Sequence, residues 1–244
     1  MTNVSADTPV QPRHLRLVAR DIMTSPVITA RPETTVRDLA ALMTTHRISG
    51  IPIVTAEHEL VGIVTEGDLL YKEVLPKPSE PPPVVRRLPV RSVIEQHVQA
   101  RKAEGTRAYE IMTSPVLTVA ESTTVHEIAQ VMVRHRINRV VVLRAGRVVG
   151  IVSRADVLKV FQRPDEELAE IIRSSLMHDL WIDLSKVTVT VRDGVVYLDG
   201  TVERRSEAEL AGKWAAMADG VVEVRNSLAY GLDDAHLRPG LGRK

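Results

Sequence analysis

The feature that most constrains the fold of this chain is an internal repeat. Residues 22–36 (IMTSPVITARPETTV) and residues 111–125 (IMTSPVLTVAESTTV) are identical at ten of fifteen positions. The similarity resumes further on, where GIVTEGDLL, beginning at Gly62, returns 88 residues later as GIVSRADVL, beginning at Gly150. A chain with this duplication is expected to fold as two copies of one unit that pack on each other.

Each copy has the sequence pattern of a short unit that mixes helices and strands. Apolar residues recur at i, i+3, i+4 and i+7, which is typical of a helix with one buried face. A hydroxyl residue with an acid three positions on precedes each helix, Thr35 with Asp38 and Thr124 with Glu127, and this spacing indicates a capping box. Two short apolar strands and a second helix follow. We therefore predict two helix–strand–strand–helix units of about 55 residues, each too small to bury its apolar faces alone.

A proline-rich insert separates the two copies. Six prolines fall between Pro76 and Pro89, and this density prevents both a helix and a central strand. Ser92 with Glu95 then predicts a helix that runs to about Ala103. We interpret the insert as a linker, with a lid or an arm for a partner as the alternatives.

A different pattern follows the second copy. PDEELAEIIRSSLMHDL is amphipathic with acids in its first turn, where they interact favourably with the helix dipole. KVTVTVRDGVVYLDGTVE alternates apolar and polar residues around Asp193-Gly194, a pair typical of a tight hairpin turn. Ser206 with Glu209 predicts a second helix, Gly220 marks its end, and VVEVRNSLAY predicts a third strand. This region is therefore predicted to be an αββαβ domain.

The predicted fold class is α+β, with the two repeats related as a pseudo-twofold pair and the αββαβ domain after them. The division of the chain is a flexible N-terminus (1–18), the first repeat (19–75), the insert with its helix (76–109), the second repeat (110–162), the αββαβ domain (163–231) and a disordered tail (232–244). Only one Phe, two Trp and four Tyr are present, so the cores are expected to be aliphatic.

Composition argues against several classes of function. The net charge is +1, so no global field attracts nucleic acid, and we expect no nucleic-acid partner. The chain has no cysteine, which excludes disulfides, thiolate metal sites and cysteine nucleophiles. No apolar run has the length of a signal-peptide core or a membrane span. We expect a cytoplasmic protein, with peripheral attachment to a membrane left open.

No pattern of catalytic or metal-binding residues is visible. The chain lacks a nucleophile elbow, a Walker loop and a dinucleotide fingerprint. His46 and His135 recur in the two copies, but each stands beside an arginine and without a second histidine at ligand spacing, so a role in capping or at the core edge is favoured over metal binding. We expect no enzyme, no catalytic residue and no metal site.

The repeated unit resembles the CBS domain, and the two copies together resemble a CBS pair, or Bateman module. The resemblance rests on IMTSPV, on HRISGIPIV and HRINRVVVL, and above all on GIVTEGD and GIVSRAD. It covers residues 19–162 apart from the insert. The C-terminal region resembles a BON domain through VRDGVVYLDGTV and ADGVVEVRNSL, over residues 164–230.

These resemblances imply a non-catalytic regulatory protein. CBS pairs typically bind AMP, ADP, ATP or S-adenosylmethionine as regulatory ligands, and they commonly assemble as homodimers. BON domains are associated with phospholipid or envelope attachment and with stress-response proteins, although we expect Trp181 and Trp214 in this domain to be buried or half-buried. The alternative is a structural dimerisation scaffold with a lipid- or envelope-binding BON domain and no physiological nucleotide.

The repeated hydroxyl and aspartate, Thr65 with Asp68 and Ser153 with Asp156, allow two interpretations. Each pair has capping-box spacing at the start of a helix, which needs no ligand and contributes about 1 kcal/mol. A helix start also favours a phosphate, and a carboxylate can accept hydrogen bonds from ribose hydroxyls. The CBS resemblance favours a nucleotide site in at least one copy, and capping can coexist with it.

Arginines distinguish the two copies. Arg139 falls where CBS proteins resembling the regulatory subunit of AMP-activated kinase often place a phosphate-binding arginine, and the first copy has Gly50 there. Arg154 lies within the second motif, whereas Glu66 lies within the first. The second copy, with Ser153 and Asp156, is therefore predicted to be the stronger phosphate site, although a solvated surface role for both arginines remains an alternative.

The CBS resemblance also implies where an adenine would lie. By position, the base would rest on the backbone near Val27 and Thr29 in the first copy and near Val116 and Thr118 in the second. Ile53 and Val141 are the candidates for the wall of the pocket.

Overall fold

The computed structural model describes residues 15–74 and 105–235. The proline-rich stretch, the helix expected after Ser92, residues 1–14 and residues 236–244 lie outside them. The chain divides into two compact units, which we describe separately. Of the described residues, the repeat unit contains 19–74, 105–123 and 130–154, and the C-terminal unit contains 15–18, 124–129 and 155–235.

The two repeats have matching elements. The first repeat consists of α1 (Ala19–Ile22), α2 (Val36–His46), β1 (Gly50–Val54), β2 (Leu60–Thr65) and α3 (Glu66–Val74). The second consists of α4 (Ala108–Ile111), β3 (Thr118–Ala120), α5 (Val125–His135), β4 (Arg139–Arg144), β5 (Arg147–Ser153) and α6 (Arg154–Leu158), followed by a 3₁₀ turn (Lys159–Gln162). The predicted order of helix, strand, strand and helix is confirmed in both copies.

The helix starts form as the sequence predicts. Thr35 Oγ1 accepts a hydrogen bond from Asp38 N at 3.2 Å, so it caps α2. At the start of α5, Thr124 Oγ1 accepts from Glu127 N at 3.3 Å, and Thr124 N donates to Glu127 Oε2 at 2.9 Å. The second arrangement is a complete capping box, because each residue satisfies a backbone N–H of the other.

Each repeat exchanges its leading segment, the stretch that follows its first short helix (α1 or α4), with the other repeat. Thr24 N donates to Ile151 O on β5 at 2.9 Å, and Ile63 N on β2 donates to Thr113 O at 3.1 Å. These contacts form two antiparallel bridges between one repeat's leading segment and the other's strand. The repeats are therefore joined through backbone hydrogen bonds as well as through side chains.

Two glycines make this exchange possible. A Cβ atom on Gly150 would lie 2.1 Å from Met23 Sδ, and one on Gly62 would lie 2.2 Å from Met112 Sδ. The paired glycine of GIVTEGD and GIVSRAD therefore leaves room for a methionine from the opposite repeat.

The C-terminal unit has the predicted αββαβ order. Its elements are α7 (Asp165–His178), β6 (Val187–Arg192), β7 (Val195–Arg204), α8 (Arg205–Ala215) and β8 (Glu223–Leu232). β6 and β7 form an antiparallel hairpin, and β8 pairs with β7 in parallel. Asp193 and Gly194 both have positive φ, as expected for the predicted tight turn. The core is aliphatic, as composition predicted, and includes Ile172, Leu176 and Leu198.

The start of α8 differs from the prediction. Ser206 and Glu209 do not form its capping box, because β7 runs directly into the helix at Arg204. Glu207 Oε2 accepts from Arg204 N at 3.4 Å, while Ser206 N donates to Asp234 at 3.0 Å. Asp234, placed by the sequence in a disordered tail, is therefore hydrogen-bonded to the domain.

The end of the predicted flexible N-terminus is also held in place. Leu17 N donates to the Asp219 carboxylate at 2.6 Å, and Asp219 N donates to Leu15 O at 3.1 Å. Burial raises the pKa of Asp219, and the hydrogen bond from Leu17 opposes this shift. Residues 15–18 thus belong to the C-terminal unit.

Two further observations concern membranes. Trp181, expected to be buried or half-buried, is 88% exposed and has a φ of 57°. Trp214 is half-buried, as expected, and donates to Ser175 Oγ at 2.6 Å. Within residues 15–74 and 105–235, we find no helix with both the length and the apolarity to cross a bilayer.

We predict that Gly200→Ala strongly destabilises the C-terminal unit. Gly200 has a φ of 121°, and a Cβ there would lie 2.1 Å from the backbone oxygen of Lys186. The backbone of β6 would have to move, at a cost of about 3 kcal/mol or more. Tryptophan fluorescence during denaturant unfolding measures this directly, because both tryptophans, Trp181 and Trp214, lie in this unit.

Gly231→Ala is the matched control. The nearest atom to a Cβ at Gly231 is Glu203 O at 3.6 Å, an ordinary contact. We expect its effect on the free energy of unfolding to stay within about 0.5 kcal/mol. Equal effects of the two substitutions would contradict the close approach at Gly200.

Candidate functional site

The motif of the first repeat lies where β2 meets α3. Thr65 ends the strand, and both its N and its Oγ1 donate to Asp68 Oδ2 at 2.8 Å. Asp68 is buried, with 6% of its surface exposed. One half of the predicted capping box is therefore present in this copy, because the Asp68 carboxylate satisfies the backbone N–H of Thr65. It leaves the ligand interpretation open, because a capped helix start still combines a hydroxyl, a carboxylate and a favourable dipole.

The motif of the second repeat lies where β5 meets α6. Ser153 is the last residue of the strand, and Arg154 is the first of the helix. Arg154 is exposed, and its Nε donates to Ile137 O at 3.1 Å. Asp156 is buried, with 7% exposed, and accepts from Lys159 Nζ at 2.8 Å. Both charged side chains of this motif thus interact with groups of their own repeat.

Arg139 crosses from the second repeat to the first. Its backbone opens β4 opposite Ser153, and the corresponding position of the first repeat is Gly50, opposite Thr65. A Cβ on Gly50 would lie 2.2 Å from Arg139 Nη1 and 2.7 Å from its Cδ. The absence of a side chain at Gly50 is what lets the guanidinium lie there.

The electrostatic surroundings of Arg139 are those of a partly desolvated cation. Burial lowers the pKa of its guanidinium, and the negative charges of Glu66 and Asp68 act in the opposite direction. Its Nη1 is buried and has no hydrogen-bond partner among the described residues. A buried N–H without an acceptor is costly, so Arg139 presents an unused donor beside the acids of the first repeat.

This placement corrects the grouping expected from the sequence. Arg139 was assigned to Ser153 and Asp156 of its own repeat, but its side chain faces Glu66 and Asp68. The reason is steric, since Gly50 on β1 leaves space for the guanidinium of Arg139. The sequence pattern singled out Arg139 but not the repeat that its side chain faces, and it gave no link between Arg139 and Gly50 or Glu66. The pairing of a glycine with an arginine at corresponding positions of the two copies was the available signal.

The segments expected to hold an adenine are accessible, but their expected walls are not. Val27 and Val116 are half-buried, and Thr29 and Thr118 are exposed. Ile53 and Val141 are fully buried, because they lie on strands that neighbouring segments cover. These two side chains belong to the core and cannot form the surface of a pocket. Nor does the described part of the chain group three His, Cys, Asp or Glu residues for a metal ion.

Comparison with known families gives matches over both regions. Residues 19–74 and 108–163 match the model of the CBS domain, and residues 164–231 match that of the BON domain. An uncharacterised protein of Methanocaldococcus jannaschii is 28% identical over 156 residues, which are 59% of this chain and 90% of that protein.

Two solved structures are similar to the repeat region. CBSX2 in complex with AMP is 24% identical, with a TM-score of 0.48 over 59% of this chain and 94% of that chain. The CBS domain pair of protein MJ0100 in complex with 5′-methylthioadenosine and S-adenosyl-L-methionine is 27% identical. Its TM-score is 0.46, over 60% of this chain and 97% of that chain.

We predict that Arg139→Met stabilises the protein. Methionine retains the apolar stem of the side chain and removes a buried donor that has no acceptor, so the free energy of unfolding should rise by about 1 kcal/mol. Thermal unfolding of the full chain, followed by circular dichroism, is the measurement.

Arg144→Met on the same strand is the control. Arg144 is exposed and forms an ion pair with Glu121, so its loss should lower the melting temperature slightly or leave it unchanged. A larger loss of stability for Arg139→Met than for Arg144→Met would contradict this description of Arg139.

Proposed function

The chain contains two CBS domains followed by a BON domain, and from this premise we propose that it senses an adenosine ligand. A CBS domain is a regulatory module. The ligand class is AMP, ADP, ATP or S-adenosylmethionine, as the CBS resemblance implies. The protein acts without catalysis, and its response is passed to the BON domain.

The observation that carries this proposal is the set of groups around Thr65. The Thr65 hydroxyl and the start of α3 lie beside the buried carboxylate of Asp68. The guanidinium of Arg139 faces Asp68 and Glu66. A guanidinium binds phosphate through charge-assisted hydrogen bonds, whereas a carboxylate accepts hydrogen bonds and repels phosphate. Nucleotides have both complementary parts, since the ribose offers hydroxyl donors and the phosphate offers a negative charge.

Regulation requires that the ligand prefers one arrangement of the protein over another. A ligand shifts such an equilibrium only through its different affinities for the two states. The second motif is followed along the chain by α7, the first helix of the BON domain. A change in the CBS pair can therefore be transmitted through a continuous backbone.

Calorimetry of the full chain with AMP, ADP, ATP and S-adenosylmethionine tests this function. We expect at least one of them to bind with a Kd below about 1 mM. The Asp68→Ala variant should lose most of this affinity, because it removes the acceptor for the ribose hydroxyls. If none of these ligands gives either binding heat or a thermal shift at roughly millimolar concentration, the proposed function is contradicted.

Asp38→Ala is a closely matched control. Asp38 accepts from Thr35 Oγ1 at 2.7 Å at the start of α2, much as Asp68 accepts from Thr65. Both variants lose a carboxylate at a helix start, and loss of the buried Asp68 should cost more stability than loss of the exposed Asp38. Only Asp68→Ala should lose ligand affinity. Equal affinity in both variants would assign Asp68 to capping alone.

A second candidate function is favoured by Trp181. In this alternative, the BON domain attaches the protein to phospholipid or to an envelope component, and the CBS pair is a dimerisation scaffold. Trp181 is 88% exposed and is held in the left-handed backbone region. A tryptophan in that position is suited to the interface between water and lipid. The homodimer and the cytoplasmic location expected from the sequence remain part of both proposals.

Co-sedimentation of the full chain with vesicles of anionic phospholipid tests this alternative. If the BON domain attaches to lipid, Trp181→Ala should lower the bound fraction severalfold and leave the melting temperature unchanged, because the side chain makes little contact. Tyr109→Ala is the control, since Tyr109 is also exposed, at 52%, but lies in the repeat unit. Equal binding of all three proteins would contradict a role for Trp181.

A further inference from the structure

At one pair of corresponding positions in the two repeats, only the second repeat has a cationic side chain. Gly50 opens β1 and Arg139 opens β4, so they are corresponding residues of the two copies. They also contact each other, because the guanidinium fills the space that a side chain on Gly50 would occupy. The shared space therefore holds one guanidinium, and it faces the first repeat.

This guanidinium is prepared to bind an acceptor. Its Nη1 is buried and lacks a hydrogen-bond partner among the described residues. Within the same part of the chain it forms no ion pair at 4.0 Å or less, although Glu66 and Asp68 lie close enough to influence its charge. Its planar fork of donors matches one phosphate group in a bidentate arrangement.

The surrounding charges limit how many phosphates this site accepts. The guanidinium lies against Gly50, which pairs with Thr65. Thr65 donates to Asp68 at 2.8 Å and is followed by Glu66, so two carboxylates lie near this guanidinium. A single phosphate can pair with Arg139 while the ribose hydroxyls donate to Asp68. A longer phosphate chain would extend beside Glu66 without a second cation from this cluster, and like charges at close range disfavour binding. Arg154 already donates its Nε to Ile137 O in the second repeat.

We propose that the CBS pair binds one phosphorylated ligand per chain, at the motif of the first repeat, and prefers adenosine with a single phosphate to adenosine with three. The second repeat thus supplies the phosphate-binding residue to the first. This inference rests on the proposed adenosine-sensing function and adds to it the site, the stoichiometry and the charge of the ligand.

Calorimetry of the full chain with adenosine, AMP and ATP, without magnesium, tests the inference. For the natural sequence we expect one AMP per chain, with an affinity about tenfold higher than those for adenosine and ATP. Arg139→Met should remove this advantage of AMP and leave the affinity for adenosine within about twofold. Arg144→Met removes the same charge further along β4 and should behave as the natural sequence does.

Two further variants separate the position of the charge from its presence. Gly50→Ala keeps Arg139 but forces its guanidinium to move, because the new Cβ would lie 2.2 Å from Nη1. It should weaken AMP binding about fivefold or more, and adenosine binding much less. Glu66→Gln removes one of the two facing acids and should raise the affinity for ATP more than that for AMP.

Several results would overturn the inference and leave the proposed function standing. These are two AMP molecules per chain, ATP binding at least as tightly as AMP, or AMP affinity that Arg139→Met does not change. Equal weakening of adenosine and AMP by Arg139→Met would also overturn it, since Arg139 would then act on the shape of the site. If no adenosine compound binds the natural sequence, the proposed function and this inference both fail.

Discussion

The repeat unit depends on an exchange in which each CBS repeat lends its leading segment to a strand of the other. The bridges from Thr24 to Ile151 and from Thr113 to Ile63 satisfy backbone groups that one repeat alone would leave at a sheet edge. Methionines from the same segments then pack over glycines of the opposite strands. Neither repeat is complete without the other, and this accounts for the close match between the two copies at their leading segments and at the glycine of the motif.

The symmetry of this exchange is broken at one position that matters for binding. Arginines at both position 50 and position 139 would compete for the same space, since the side chain of Arg139 already fills it. A glycine paired with an arginine resolves the conflict and leaves one cation beside the acids of the first repeat. Among the described residues, this guanidinium keeps a buried donor without a partner, a cost that packing does not explain. A role for Arg139 in binding a ligand accounts for this buried donor, because the ligand would supply the acceptor.

Features that depend on local sequence spacing could be predicted from the sequence, whereas side-chain contacts between the two repeats could not. The capping of α2 by Thr35, the hairpin at Asp193-Gly194 and the αββαβ order follow from local spacing, and all three are present. The direction of Arg139 depends on a glycine 89 residues away, so periodicity carries no information about it. The capping of α8 was missed because β7 continues directly into the helix, so that Arg204 and Glu207 form the capping box and Ser206 donates to Asp234 instead. The exposure of Trp181 was missed because its left-handed backbone has no sequence signature outside glycine and asparagine.

The most direct test of this account is a crystal structure of the full chain grown with AMP. The account predicts one AMP per chain, with a phosphate oxygen about 3 Å from the guanidinium of Arg139 and the ribose hydroxyls at Asp68. A phosphate bound instead at Ser153 and Arg154, with Arg139 still lacking an acceptor, would contradict it.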